Sequence, residues 1–451
     1  MKTRKMTTGT PWVHILRFAL PVLASSLLQQ LYQTVDTIIV GRYAGEASLA
    51  AVGTTGSIFF FFLAVAIGLS GGNGVVVAQF YGAGDEKNVR RAASTGMIFM
   101  LILGVIITLF SLVLARPLFT HVVSVPGSFL HLTLLYFRWI AAGIIFICGY
   151  NIVSSILRAV GDSAASMYFL LITSVVNVVL DYLFVAVFHW GVTGAAVATV
   201  ISQIAAFVSA YVYMTVRYPL FRFKIRDFTW DSSLAKHTVR IGFPIALQMM
   251  LISIGLTFIQ RAVNSFGQTM TASFTVGHRI ELYMNMPATA FHTTMATYTG
   301  QNIGAGKPSR VKKGVRQTFV LCLGMTLIIS AAVWFSADRI IGLFGLTSQA
   351  AVYCTEHLHA IALINIILSL YIPLFGVFQG TNHALVPALV AVFAWAVRIA
   401  VIFIFKGGDV MGYSIVWWNG AFGFTLGCII TWTYYLSGRW QKNARVAPAP
   451  V

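Results

Sequence analysis

Long apolar stretches separated by short polar turns follow one another along the whole chain. A helix needs about 20 mostly apolar residues to cross the hydrocarbon core of a bilayer, and twelve stretches reach that length. The predicted spans lie near residues 12–40, 48–80, 92–115, 128–157, 163–188, 192–216, 238–264, 271–299, 315–337, 349–378, 384–405 and 411–437. This pattern predicts an all-α polytopic membrane protein with twelve transmembrane helices.

The two halves of the chain resemble each other. The segment RFALPVLASSLLQQL begins at Arg17 and matches RIGFPIALQMMLISI, which begins at Arg240, 223 residues later. A Q-x-x-GAG loop also occurs twice, beginning at Gln79 and at Gln301. Six spans per repeat place both halves in the same orientation, so we expect two lobes related by a pseudo-two-fold axis along the membrane normal.

The repeat sets the predicted domain boundaries. An N-lobe of six spans covers 1–216, and a polar cytoplasmic linker covers 217–237. The C-lobe covers 238–437, and a cytoplasmic tail covers 438–451. We expect a substrate site at the interface between the lobes.

Composition agrees with a membrane protein, because 58% of the 451 residues are hydrophobic, 9% are charged and the mean hydropathy is +0.82. The formal net charge of +18 would fit nucleic acid, but most of the 30 Lys and Arg lie in the loops of one side. The positive-inside rule then places both termini in the cytoplasm, and we expect no nucleic-acid partner. The basic loops also suit contact with anionic membrane lipids.

The sequence has no HExxH motif and no phosphate-binding GxxxxGK[ST] loop. The four cysteines have no paired spacing, so we expect neither a disulfide framework nor a structural metal. The sequence therefore predicts a protein that is not an enzyme and needs no cofactor.

Two carboxylates, Asp36 and Asp181, lie inside apolar runs of a chain with only 12 acidic residues. A carboxylate at bilayer depth costs at least about 2.5 kcal/mol unless it is protonated, paired or in contact with water. Burial and a second nearby carboxylate both favour protonation, and such a pair titrates as one unit. We therefore predict an ion or substrate site at these residues.

Further polar residues lie on the first span. Gln29, Gln33 and Asp36 are spaced i, i+4 and i+7, which places them on one face of the helix, and Tyr32 lies one turn before Asp36. Packing roles remain open for Gln29 and Tyr32. Pro21 is predicted to be a hinge, although proline is also common in membrane helices.

The fourth, fifth and sixth spans contribute to the same predicted cluster. Asn177 and Asp181 are i, i+4 neighbours, and Asn151 in the fourth span and Thr199 in the sixth add polar groups inside their spans. Asn is also a frequent hydrogen-bonding residue between membrane helices. An ion-site role and a helix-packing role are therefore both open for Asn177 and Asn151. Thr199 also fits a packing role.

The second half lacks the equivalent of Asp36, since Gln260 or a neighbour stands there. Its buried acid is Glu281, near His278 and Arg279. Glu281 and Gln260 are therefore candidates for a second ion or substrate site, with a structural ion pair at Glu281 as the alternative.

The double six-helix repeat, the segment from Pro21 to Asp36 followed by VGRYAGEASLAAVG, and the duplicated Q-x-x-GAG loop resemble the multidrug and toxic compound extrusion (MATE) transporters. The NVVLD sequence ending at Asp181, together with Asp36, is similar to the branch related to the DNA-damage-inducible F proteins. In that branch an N-lobe cluster is thought to bind the coupling ion. The positions that match it are Asp36, Asp181, Asn177, Asn151, Gln29 and Thr199. The NorM-like branch is expected to use carboxylates in its seventh and tenth spans, but here the seventh has none and the tenth has only the peripheral Glu356.

This resemblance implies a secondary antiporter that exports amphipathic or cationic organic compounds in exchange for H+ or Na+. The Na+ reading would place that ion at Asp36 and Asp181. The alternative is a flippase for a lipid-linked precursor, which would require a cavity rich in Arg or Lys. We expect a monomer in the plasma (inner) membrane of a bacterium or archaeon.

Overall fold

A computed structural model describes residues 5–123, 125–342, 344, 346–405 and 412–442. The described residues form helices and contain no strand. The α-helices are α1 (Pro11–Tyr43), α2 (Glu46–Ala83), α3 (Glu86–Pro117), α4 (Gly127–Ala159), α5 (Ser163–Asp181), α6 (Gly191–Arg217), α7 (Ser232–Asn264), α8 (Gln268–Met284), α9 (Met286–Gly304), α10 (Pro308–Gly342), α11 (Ser348–Gly380), α12 (Leu385–Phe405), α13 (Ile415–Leu436) and α14 (Arg439–Lys442). The predicted all-α class is confirmed.

Eleven helical segments of the described chain are long and apolar enough to cross a membrane. They correspond to the predicted spans, except for the eighth. Wider π-helical turns, Leu118–Val122 and Tyr182–Val187, extend α3 and α5. The predicted start of the last span, residue 411, and the tail from 443 onward lie outside the described residues.

The predicted eighth span, 271–299, is two helices, α8 and α9, that meet at Asn285. Pro287 lies in the first turn of α9 and has no amide hydrogen to bond the carbonyl four residues earlier, so a continuous helix is unfavourable here. The Nδ2 of Asn365 on α11 donates to the Met284 carbonyl over 2.9 Å. This bond satisfies a carbonyl at the end of α8.

The chain forms two compact units. One contains Ala24–Ala246, and the other contains Met6–Leu23 and the described part of Leu247–Arg445. Helices α1 and α7 therefore begin in one unit and end in the other. The change occurs two residues after Pro21 in α1 and two residues after Pro244 in α7. The lobe boundaries predicted from the sequence stay a prediction.

Glycines let the first part of α7 pack closely on α2 in the first unit. A Cβ on Gly72 would lie 2.5 Å from the backbone nitrogen of Gly242, and a Cβ on Gly68 would lie 2.5 Å from that of Ala246. Small residues allow such close approach of membrane helices. The contact fixes the start of α7 within this unit.

Candidate functional site

Helix α1 carries Asp36 into the first unit. Its threonines bond their own backbone, with Thr34 donating to the Gln30 carbonyl over 2.9 Å and Thr37 to the Gln33 carbonyl over 2.7 Å. Asp36 is partly buried. The helix therefore presents this carboxylate to its neighbours without a partner from the adjacent turns.

Asp181 is the last residue of α5, and its side chain is 0% exposed. The π-helical turn begins at the next residue, Tyr182. Thr173, Asn177 and Asp181 form a buried polar row at i, i+4 and i+8. Local π-helical widening is frequent at functional sites, so its position beside Asp181 supports a role for this residue.

The structure brings Asp36 and Asp181 together, with their carboxyl groups within hydrogen-bonding reach of each other. Both oxygens of Asp181 and the Oδ1 of Asp36 are buried without a donor from any described residue. An ionised carboxylate only accepts hydrogen bonds, so two of them in contact require a proton between them. The geometry therefore suits one shared proton.

Two tyrosines lie in the electrostatic surroundings of this pair. Tyr32 on α1 and Tyr136 on α4 both interact electrostatically with Asp36 and Asp181, and Tyr150 interacts with Tyr32. Tyr136 is 6% exposed. A hydroxyl can donate to a carboxylate and accept from a protonated carboxyl, so these residues fit a site that exists in both forms.

Tyr136 is a site residue that the sequence reasoning missed. It stands in the mostly apolar run LTLLYFRW of the fourth span, with Thr133 one turn before it. Its only signal was a polar hydroxyl at bilayer depth. Its relation to Asp36 and Asp181 depends on helix packing, which the sequence pattern does not reveal.

The other predicted members of the cluster bond mainly within their own helices. The Nδ2 of Asn151 donates to the Ile147 carbonyl over 2.8 Å, and Thr199 donates to the Ala195 carbonyl over 2.9 Å. The Oδ1 of Asn177 is buried without a donor among the described residues. Gln29 is exposed. Their part in ion binding stays a prediction.

A second charged cluster lies in the second unit around Glu281. Nδ1 of His278 lies 2.9 Å from Oε2 of Glu281, and His357 and Arg398 interact with the same carboxylate. Arg398 is 7% exposed, and its Nε donates to Oδ1 of Asn419 over 2.7 Å. Unlike the Asp36–Asp181 pair, this carboxylate lies near a cationic side chain, Arg398.

Aromatic rings also contact Arg398. Its guanidinium carbon lies 4.1 Å from the ring centre of Trp395 and 4.5 Å from the ring centre of Phe424. A small cavity of about 20 Å³ lies against Glu281 and Arg398, with room for about one water molecule. Gln260 lies near the end of α7, where its Nε2 donates to Oδ1 of Asn264 over 2.8 Å. A joint site of Gln260 and Glu281 stays a prediction.

The described residues contain no group of three or more His, Cys, Asp or Glu placed to hold a metal ion. Cys148, Cys322, Cys354 and Cys428 are free thiols. A sodium ion at Asp36 and Asp181 would therefore take further ligands from hydroxyl, amide or water oxygens.

The MatE family model matches the chain twice, over residues 21–183 and 244–404. The two matches begin at Pro21 and Pro244, the prolines that define the repeat register. Together they cover more than half of the chain.

Similar proteins cover almost the whole chain. A "Probable multidrug resistance protein YoeA" of Bacillus subtilis is 28% identical over 98% of this chain and 96% of its own length. A "Probable multidrug resistance protein NorM" of Thermotoga maritima is 26% identical over 95% and 93%. The solved structure "Outward-facing conformation of a multidrug resistance MATE family transporter of the MOP superfamily" has a TM-score of 0.90 at 25% identity, over 98% and 99% of the two chains. The chain therefore belongs to the MatE family of membrane transporters, which confirms the expectations of a two-lobed transporter fold and of a protein that is not an enzyme.

Proposed function

We propose that this protein is a secondary antiporter that exports amphipathic or cationic organic compounds in exchange for H+ or Na+. The observation that carries the proposal is the contact between Asp36 and Asp181 in the first unit. The relatives whose names refer to multidrug resistance support the class of cargo. We place the protein in the branch related to the DNA-damage-inducible F proteins, because its paired acids lie in the first half.

The carboxylate pair would act as the coupling switch. With one proton bound, the two carboxyl groups share a hydrogen bond; without it, two negative charges repel each other in a largely apolar surrounding. A ligand shifts a conformational equilibrium only when it binds one state more tightly than the other. A proton that binds the carboxylate pair in one conformation and dissociates from it in the other conformation satisfies this condition.

The geometry favours H+ over Na+ as the coupling ion. Direct carboxyl contact is the arrangement that a shared proton stabilises, whereas a sodium ion would lie between the two groups. Since the buried oxygens have no other donor among the described residues, the proton supplies the missing hydrogen bond. We therefore propose proton coupling, with Na+ as the competing outcome of the experiment.

The flippase alternative has less support. A phosphate-bearing cargo would require cationic side chains that are free to bind it. Arg398, the buried arginine of the second unit, is already engaged by Asn419, Trp395 and Phe424 and faces Glu281. Export of organic compounds therefore remains the preferred function.

Glu281 is proposed to have a structural role. Its charge is balanced by Arg398 and by the hydrogen bond with His278. Removing this carboxylate would take away the partner of His278 and the negative charge near Arg398, and would destabilise the fold. Ion exchange would then depend on the first unit alone.

The location follows from the charge distribution along the sequence. We propose that both termini lie in the cytoplasm, because the predicted loops on the side of the termini carry most of the basic residues. We also propose that the protein is a monomer in the plasma (inner) membrane. Small organic cargo and membrane lipids would be its partners, and it would require no cofactor.

The test is efflux of a fluorescent organic cation from vesicles that contain the purified protein, under an imposed pH gradient or an imposed sodium gradient. We expect transport under the pH gradient without sodium. Asp338→Asn is the matched control, since it removes an exposed carboxylate of the second unit. Transport under the sodium gradient alone would replace H+ by Na+, and transport under neither gradient would refute ion-coupled antiport.

A further inference from the structure

A groove of about 440 Å³ lies on the surface of the second unit, between the start of α1 and the first turns of α10. Its lining residues are Trp12, Lys313, Arg316, Gln317, Val320 and Leu321. The five residues from α10 are spaced i, i+3, i+4, i+7 and i+8, so they form one face of that helix. The groove is thus formed by the beginning of α1 and one face of α10.

The groove changes from cationic to apolar along α10. Lys313 and Arg316 are exposed near the beginning of the helix, and Val320, one turn further into the span, is 71% exposed. Trp12 is 45% exposed on the opposite wall. A cationic rim, a tryptophan and an apolar floor are arranged in the order in which a membrane surface presents headgroups and acyl chains.

The two cations of the groove have no partner within the described chain. No described carboxylate pairs with Lys313 or Arg316, and the Oε1 of Gln317 is buried without a donor among the described residues. Long cationic side chains beside an apolar surface are therefore available for an external anion.

The first repeat gives an internal comparison. Arg91 and Ser94 lie 222 residues before Lys313 and Arg316, in the register of the duplicated loop. Arg91 is paired with Asp231 over 3.0 Å, and Ser94 donates to the Thr229 carbonyl over 3.1 Å. In the first unit the chain itself satisfies these positions, whereas in the second unit it leaves them open.

The duplicated loop also fixes the other wall of the groove. The amide of Met6 donates to Oε1 of Gln301 over 2.8 Å, and Arg310 donates to the carbonyls of Met6 and Thr8 over 3.2 and 2.8 Å. Lys307 donates to the Thr7 carbonyl over 3.0 Å. The segment before α1 is therefore docked on the second unit, which holds Trp12 opposite α10.

We propose that this groove binds an anionic phospholipid of the surrounding leaflet. Lys313 and Arg316 would bind the headgroup phosphate, the Trp12 indole N–H would donate to the headgroup, and an acyl chain would lie on Val320 and Leu321. Basic pockets at this edge of a membrane protein are suited to acidic headgroups. The bound lipid would stabilise the docked start of α1.

The experiment measures binding of short-chain phosphatidylglycerol to the purified full-length protein in detergent by native mass spectrometry, with phosphatidylcholine of the same chain length as the neutral lipid. Wild type is compared with Lys313→Gln/Arg316→Gln. The control Lys312→Gln/Arg439→Gln removes two exposed charges of the same unit outside the groove. Inorganic phosphate at millimolar concentration serves as a competitor without acyl chains.

We expect phosphatidylglycerol to bind more tightly than phosphatidylcholine, and the groove variant to lose roughly 30-fold in affinity, the value for two cations at an acidic surface. The control should bind like wild type. Equal binding of both lipids, or a groove variant with unchanged affinity, would overturn the proposal. Full displacement by inorganic phosphate would also overturn it, because the site would then recognise an anion and not a lipid.

Discussion

The substitution Asp36→Asn tests the carboxylate pair from two sides. Asparagine has nearly the same shape, but it cannot exchange a proton. If one proton returns for each exported monovalent cation, a gradient of one pH unit supplies about 1.4 kcal/mol, which sustains an about tenfold cation gradient. We expect wild type to build that gradient and Asp36→Asn to build none.

The same substitution should stabilise the protein. The amide introduced at position 36 would donate to Asp181, whose buried oxygens have no donor among the described residues other than a shared proton. A hydrogen bond to a charged acceptor contributes about 1.5–3 kcal/mol. Thermal unfolding in detergent should therefore occur at higher temperature in the variant, and the increase should be largest at alkaline pH, where wild type lacks the shared proton.

The assay combines steady-state accumulation of a fluorescent cation in vesicles with thermal unfolding of the same preparations, with Asp338→Asn as control. A variant that loses both transport and stability would indicate that Asp36 is a packing residue. Accumulation at the wild-type level would refute the coupling role of Asp36 outright.

Three further outcomes are expected. Tyr136→Phe removes a buried hydroxyl that interacts electrostatically with Asp36 and Asp181, so efflux should fall severalfold with unfolding almost unchanged. Unaltered efflux would exclude the hydroxyl from the site. Glu281→Gln weakens the hydrogen bond with His278 and removes the negative charge near Arg398, so it should lower the free energy of unfolding by about 1–3 kcal/mol, while the remaining folded protein keeps its pH-dependent transport. Loss of that dependence would assign ion coupling to Glu281. Outside the spans, burial and the 2.6 Å hydrogen bond to Asp162 raise the pKa of Tyr218 well above its usual value. The stability that this tyrosine contributes should be complete below about pH 10 and be lost as the pH rises above it, and Asp162→Asn should weaken this dependence in alkaline unfolding curves.

The sequence predicted much of the fold because hydrophobicity alone determines most of it. Length and apolar content identified eleven of the spans, and the repeated prolines Pro21 and Pro244 identified the duplication. The break between α8 and α9 was missed, since the run 271–299 has the length of one span. Its signal was Pro287, which has no amide hydrogen to donate to the Tyr283 carbonyl and so interrupts a continuous helix.

The sequence predicted those residues of the candidate site whose side chains are energetically unfavourable inside a membrane. Asp36 and Asp181 stand out because a buried carboxylate is unfavourable wherever the helices pack. Tyr136 does not, because tyrosine is tolerated at many depths. A sequence pattern also does not reveal that α1 begins in one compact unit and ends in the other. The segment before α1 belongs to the second unit because Met6 bonds Gln301, and these two residues are almost 300 positions apart in the sequence.

The Asp36–Asp181 pair is proposed to exchange a proton for the cargo. The most direct measurement counts the protons released into weakly buffered solution when an organic cation is added to the purified protein at neutral pH. We predict release of about one proton from wild type and from Asp338→Asn, and none from Asp36→Asn or Asp181→Asn. Equal release from all four proteins would contradict proton exchange at this pair.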